Sequence, residues 1–258
     1  MVRHFLLSAL GSFLLPATLA TASAQSCHKS SPAHTVALVE LYTSEGCSSC
    51  PPADNFLRDL AHQSAASDLN AQQLVPLALH VDYWDYIGWK DRFANPVFTA
   101  RQRWLSALAT SHTIYTPELF VGGRAQPNWQ RDSRAAIRQI NATPAVAHIA
   151  LSLAPLDAAG LPIDVSASGP AGAQLFLALF ENALTSDVRM GENSGVRLRH
   201  DYVVREWVGP FVLSQNGVAL HRTLSVPAAS QRTSLGVAAF IQSPSGAILQ
   251  ALALPSCS

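Results

Sequence analysis

The chain has 258 residues, 48% of them hydrophobic, and its 17 basic side chains are matched by 17 acidic ones. That balance excludes a broad basic field for nucleic acid and an acidic tail, so no nucleic-acid partner is expected. The apolar fraction suffices for one large domain or two of ordinary size, and no repeat or low-complexity tract interrupts it.

Met1–Ala24 combines a basic start at Arg3 and His4, an apolar run from Phe5 to Leu15 and the small-residue ending Ala22-Ser23-Ala24. This predicts a secretory signal peptide over residues 1–24, cleaved before Gln25; its apolar run is too short to span a bilayer comfortably. No later stretch reaches spanning length. The mature chain is therefore expected to be exported, to a bacterial periplasm or the exterior, with no transmembrane segment.

Val36–Tyr42 is apolar and β-branched and reads as a buried strand. It runs into Glu45-Gly46-Cys47-Ser48-Ser49-Cys50-Pro51-Pro52, followed by a helical pattern from Pro51 to His62. In the order strand, CxxC, helix, a thiol at the helix N-terminus feels the positive end of the backbone dipole, which favours thiolate. Cys47 is the expected attacking thiol and Cys50 the resolving one. The prolines lack N–H groups and suit a first turn, so the regular helix should begin near Pro51. Glu45 would oppose thiolate formation, and no basic residue neighbours the pair in sequence.

Leu74–Val81 reads as a second strand, with Pro76 limiting its start or placing it near an edge. The connector His80–Phe93 leaves that strand at its C-terminal end, where α/β sheets place sites. Trp84 and Trp89 can form an apolar platform beside Cys47, and His80 and Asp82 can take part in proton transfer. The alternative is aromatic packing that seals the loop, with His80 a hydrogen-bonded strand-end histidine. Lys90, Asp91 and Arg92 are expected in a solvated turn. Pro96–Thr110 reads as a helix, Leu119–Val121 and Arg124–Gln126 as a short hairpin, and Asp132–Ile140 as a closing helix capped by Asp132.

After Pro144 the helical period disappears. Ala147–Leu153, Leu161–Ser166, Ala173–Phe180, Asp201–Trp207, Val218–Val226 and Leu235–Gln242 are strand-sized and separated by turn residues, which suggests an antiparallel sandwich. Gly191-Glu192-Asn193-Ser194-Gly195 is a turn-rich loop, and Arg199-His200-Asp201 opens the next strand. These residues read as hairpin chemistry and surface pairing, or as the lining of a groove above the cysteines.

Cysteines of an exported chain should be paired. Cys47 and Cys50 are local partners, which leaves Cys27 and Cys257 for a structural disulfide joining the termini; the alternative is free or intermolecular thiols at two frayed ends. The order β-α-β then β-β-α, with CxxC after the first strand, is the thioredoxin arrangement. Such folds carry a proline opposite the redox site, and Thr116-Pro117 occupies that place. A cis Thr116–Pro117 bond is expected, with the Thr116 backbone facing the sulfurs and able to pair with an extended substrate. The predicted fold is thus an α/β thioredoxin-like domain over 25–143 followed by an all-β, antiparallel sandwich-like domain over 144–258.

The stretches VELYTSEGCSSCPPAD, HVDYWDYIGWKDRFANPVFT, RQRW, YTPELFVGG and GENSGVRLRHDYVVREW resemble the bacterial secreted, thioredoxin-like family called domain of unknown function 1223. The likeness covers most of the mature chain. It implies a thioredoxin-like part followed by a β-rich one and supplies no established reaction. One departure from true thioredoxins is Glu45-Gly46, where they place a tryptophan.

The leading functional expectation is an exported thiol–disulfide oxidoreductase in which Cys47 and Cys50 form the redox pair. Thr116, Pro117, Trp84, His80 and Asp82 would form the site wall. The expected partner is a thiol or disulfide protein or a small thiol, with neither a metal nor a cofactor beyond the disulfide. Two alternatives accompany it: a copper(I)-handling module using Cys47, Cys50 and His80, and a non-catalytic envelope binding protein with an inert CxxC disulfide.

Overall fold

The structure, a computed structural model, describes residue 1 and residues 26–62, 69–70, 72–111 and 113–257. The expected leader over 1–24 lies, Met1 apart, outside the described residues. The first part of the described chain runs β1 (Cys27–Ser30), β2 (Ala37–Thr43), α1 (Pro51–His62), β3 (Leu74–His80), α2 (Pro96–Leu108), β4 (Glu118–Val121), β5 (Arg124–Ala125) and α3 (Trp129–Asn141). Strands follow: β6 (His148–Leu153), β7 (Leu161–Ser168), β8 (Gln174–Glu181), β9 (Leu184–Asp187), β10 (Arg197–His200) and β11 (Val203–Val212). The last three are β12 (Val218–Leu224), β13 (Leu235–Gln242) and β14 (Ile248–Pro255). α3 begins three residues before the expected cap: Asn128 holds the cap position, and Asp132 lies inside the first turn, paired at 2.8 Å with exposed Arg131.

The expected division into a thioredoxin-like α/β domain and a separate sandwich does not hold. Strand accounts for 42% of the chain against 19% helix, and one mixed sheet runs through both halves in the order β14-β13-β8-β11-β3-β2-β4-β5. The join is between β3 and β11, which run parallel with Val203 opposite Ala78; the Ala78 N–H donates to Tyr202 O at 2.8 Å. Without β11, β3 would present an open edge of unpaired backbone groups. Pro76 has no N–H to give and stands where β11 does not reach, which is how a proline is tolerated within β3.

Three apolar layers follow from side-chain alternation along these strands. Leu175, Leu177 and Leu179 of β8 and Val237, Ala239 and Ile241 of β13 face a second sheet, antiparallel with order β1-β6-β7-β12. On the opposite face, Phe176, Phe180 and Phe240 join Leu38, Tyr42 and Phe120 beneath Phe98 and Leu105 of α2, so this layer crosses the whole large sheet. Leu57 and Leu60 of α1 and Ile137 of α3 cover Val39, Leu41 and Leu119.

A buried ion pair sits in the layer under α2. Arg101 donates from Nε to Glu40 Oε1 at 2.5 Å, from Nη2 to Glu40 Oε2 at 3.1 Å, and from Nη1 to Gln242 Oε1 at 3.0 Å. Its guanidinium lies 4.9 Å from the Trp207 ring centroid and 5.0 Å from that of Phe240. The pair ties α2 and β2 to β13, across the position where the domain boundary was expected. At the termini, Cys27 and Cys257 are joined by a disulfide with Cα atoms 5.8 Å apart.

Candidate functional site

The backbone leaves β2 at Thr43 and turns through Ser44–Cys50, with the Cys47 N–H donating to Ser44 O and the Cys50 N–H to Cys47 O, each at 3.2 Å. Cys50 O then accepts from the N–H groups of Ala53 and Asp54, which opens α1 at Pro51, where two missing N–H groups cost no hydrogen bond. Cys47 and Cys50 form a disulfide with Cα atoms 5.4 Å apart, and both residues are completely buried.

Gly46 sits in close packing. A Cβ there would stand 3.1 Å from Ile87 Cδ1 and 3.3 Å from Trp84 Cβ, so the connector after β3 lies directly on the turn. Trp84 links this contact to the opposing loop, since its Nε1 donates to Thr116 Oγ1 at 2.7 Å. The Thr116–Pro117 bond is cis. Tyr42 pairs with Glu118, and extending that antiparallel register places Pro117 beside Thr43 and Thr116 beside Ser44, three residues before Cys47. Asp82 takes no part in this cluster: its carboxylate accepts from Thr99 Oγ1 of α2 at 2.5 Å.

Below the turn a set of buried ionisable groups gathers around His80, the strand-end histidine expected in the site wall. His80 Nδ1 lies 2.6 Å from Asp91 Oδ2, and both side chains are fully buried, so Asp91 is not in a solvated turn. The same Oδ2 accepts from the Glu45 N–H at 2.9 Å, and Oδ1 accepts from the Phe93 N–H at 2.9 Å. Glu45 turns inward, with Oε2 accepting from Trp89 Nε1 at 2.7 Å and Oε1 lying 3.2 Å from His200 Nε2 without hydrogen-bond alignment. The His80 and His200 rings are edge to face at 5.1 Å. Asp54 of α1 completes the set; its Oδ1 is buried without a hydrogen-bond partner although the residue reaches the surface.

Charge compensation decides the protonation tendencies here. Burial opposes the His80 imidazolium, but the charge and hydrogen bond of Asp91, with Asp54 and Glu45 farther off, lift His80 above its usual range. Burial likewise opposes the Asp91 carboxylate, but His80 and the N–H groups of Glu45 and Phe93 bring it below the ordinary value. Burial dominates at Asp54 and raises its carboxyl despite the two histidines.

The remaining contacts come from the 191–195 loop, between β9 and β10. Asn193 Nδ2 donates to Glu45 O at 2.9 Å and to Cys47 O at 3.0 Å. The Glu192 carboxylate accepts from the Ser48 N–H at 2.9 Å and the Ser48 hydroxyl at 2.8 Å, and these bonds lower its pKa. The loop therefore packs against the CxxC turn, in line with the second of the two sequence readings. Its proximity to the CxxC has no local signal, since more than 140 residues separate them. A cavity of about 790 Å3 between α3, the β4–β5 turn and Ala247–Leu249 shares no residue with this site.

A family described as a protein of unknown function (DUF1223) matches residues 38–242, which include every part of the site just described. The chain is also similar to a solved structure, the protein AGR_C_4864 from Agrobacterium tumefaciens. The two are 25% identical with a TM-score of 0.60, over 86% of this chain and 94% of that one. No curated protein matches the chain. The chain belongs to the DUF1223 family.

Proposed function

We propose that Cys47 and Cys50 are the reactive centre of a thiol–disulfide exchange protein that works outside the cytoplasm. The carrying observation is the division of labour between the two disulfides. Cys27–Cys257 joins residues 230 apart, whereas Cys47–Cys50 joins residues three apart. On a chain-entropy account the long loop contributes about 5 kcal/mol and the short one about 2 kcal/mol. The short bridge is thus the weaker staple, and it sits at the N-terminus of α1, where the backbone dipole favours a thiolate. Trp84, Thr116 and Pro117 support the reading as the wall beside the turn, with an extended segment of a thiol protein or a small thiol as substrate.

Two disulfides fit an oxidising compartment, and among the described residues no helix is long and apolar enough to cross a membrane. The copper(I) alternative finds no comparable support: among the described residues no group of three or more His, Cys, Asp or Glu side chains is placed to hold a metal ion.

Trapping tests the proposal. Cys50→Ser should leave Cys47 free to form a persistent mixed disulfide with its substrate, and the wild-type pair should have a reduction potential above about −300 mV. No mixed disulfide through Cys47, together with a potential at or below that value, would make the bridge a structural one.

A further inference from the structure

Both cysteines of the exchange centre are completely buried, yet thiol–disulfide exchange needs an approach to one sulfur. We infer that the 191–195 loop is a lid over the Cys47–Cys50 disulfide, latched by Asn193 and Glu192, and that exchange proceeds from an open form. The inference rests on the exchange reading above and adds to it the element that controls access.

The latch is built from specific contacts. Asn193 is 6% exposed and spends both of its amide N–H donors on the turn, one on Glu45 O and one on Cys47 O. Glu192 holds the next residue, Ser48, by its N–H and its hydroxyl. Together they occupy main-chain groups on both sides of Cys47. Ile87 is wedged between lid and turn: a Cβ on Gly191 would meet its Cδ1 at 2.9 Å and one on Gly46 at 3.1 Å.

The lid belongs to a unit with few backbone ties to the rest. β9 and β10 form a two-stranded sheet of their own, with Thr185 opposite Arg199, and pair with no strand of the larger sheets. Ala183 and Tyr202, at the base of this hairpin, have φ of 58° each, and Gly191 and Gly195 bracket the tip at 76° and 84°. His200 on β10 extends the same unit into the buried set, 3.2 Å from Glu45 Oε1, so lifting the hairpin withdraws this side chain as it uncovers the sulfurs.

Reduction by dithiothreitol reports on the lid directly. A dithiothreitol thiolate attacks Cys47 Sγ, the Cys47–Cys50 bond breaks, and Cys50 leaves as a thiolate that takes up a proton. The second dithiothreitol thiol then displaces Cys47, which is released as a thiolate and protonated. The reagent leaves as its cyclic disulfide, and the protein gains two electrons and two protons.

The experiment follows this reaction in the folded full chain by timed alkylation and peptide mapping, with Cys27–Cys257 as the internal reference. Asn193→Ala removes two hydrogen bonds and should speed reduction of Cys47–Cys50 about tenfold or more, without a matching change at Cys27–Cys257. Glu192→Gln keeps the size of the side chain, loses its charge, and should give a smaller acceleration. It also keeps the test alive if Asn193→Ala does not fold. Wild-type reduction rates in the folded variants would overturn the lid while leaving Cys47 trapping intact. Faster reduction of the variants without any mixed disulfide in the trapping experiment would support the lid and reject the exchange reading.

Discussion

Asp91→Asn tests whether the buried charges beneath the CxxC turn are a paired, pH-sensitive support. Asp91 accepts three hydrogen bonds within a fully buried side chain: His80 Nδ1 and the Glu45 N–H at Oδ2, and the Phe93 N–H at Oδ1. Asparagine offers one oxygen, so in either amide orientation at least one buried backbone N–H loses its acceptor, at about 1–3 kcal/mol. Loss of the negative charge also strands the His80 imidazolium, and breaking a buried pair in this way costs about 3–5 kcal/mol. The pH dependence has a defined sign. His80 is held above 6.5, so its contribution is complete below 6.5 and fades as pH rises through the folded-state value. Asp91 is held below 3.8, so its contribution is present above 3.8 and is lost as pH falls through the folded-state value. The difference between wild type and Asp91→Asn should therefore be about 3–5 kcal/mol near pH 5 and smaller near pH 9. Urea unfolding with both disulfides intact, compared at constant m, measures it. A difference below about 1 kcal/mol at pH 5, or one that grows with pH, would refute the charged-pair account.

Asp54→Asn should behave in the opposite way. Burial raises the Asp54 carboxyl above 3.8, so the ionised form costs stability once pH passes that value; the variant is expected to melt no lower than wild type at pH 7 and to lose any advantage near pH 3. Glu40→Ala leaves the Arg101 guanidinium buried among Trp207, Phe240 and Phe176, and should cost about 3–5 kcal/mol. A double-mutant cycle with Arg101→Met should recover much of that loss in denaturant midpoint, because the stranded charge is then removed. Replacing Cys27 and Cys257 together by serine should lower stability by up to about 5 kcal/mol. The same change at Cys47 and Cys50 should cost markedly less, by calorimetry under non-reducing conditions.

Local chemistry was readable where neighbouring residues decide it. The prolines after Cys50 place the start of α1, and the alternation of Leu161–Ser168 marks β7, because both depend on a few adjacent side chains. Asp91 was misplaced for the converse reason. In Lys90-Asp91-Arg92 it reads as one more charge in a polar turn, and only the return of the chain over His80 gives it a buried partner. Asn193 and Glu192 stood out as turn residues, but nothing near them in sequence indicates that their side chains close on Glu45, Cys47 and Ser48.

The sequence by itself determined the CxxC turn ahead of a helix and most strand and helix positions; the Cys27–Cys257 pairing and the cis Thr116–Pro117 bond were expectations with an open alternative, and the structure shows both. Spacing, proline chemistry and hydrophobic period act over a few residues, which is why these features are legible locally. Tertiary structure alone decided that β11 joins β3 to make one sheet of the two halves. It also decided that Glu45, His80, Asp91 and His200 gather beside the CxxC turn, and that the 191–195 loop hydrogen-bonds that turn. Strand partners and buried charge pairs are chosen by which open edges and uncompensated groups must be satisfied at once. That condition joins residues far apart in the chain and leaves no periodic mark in any one segment.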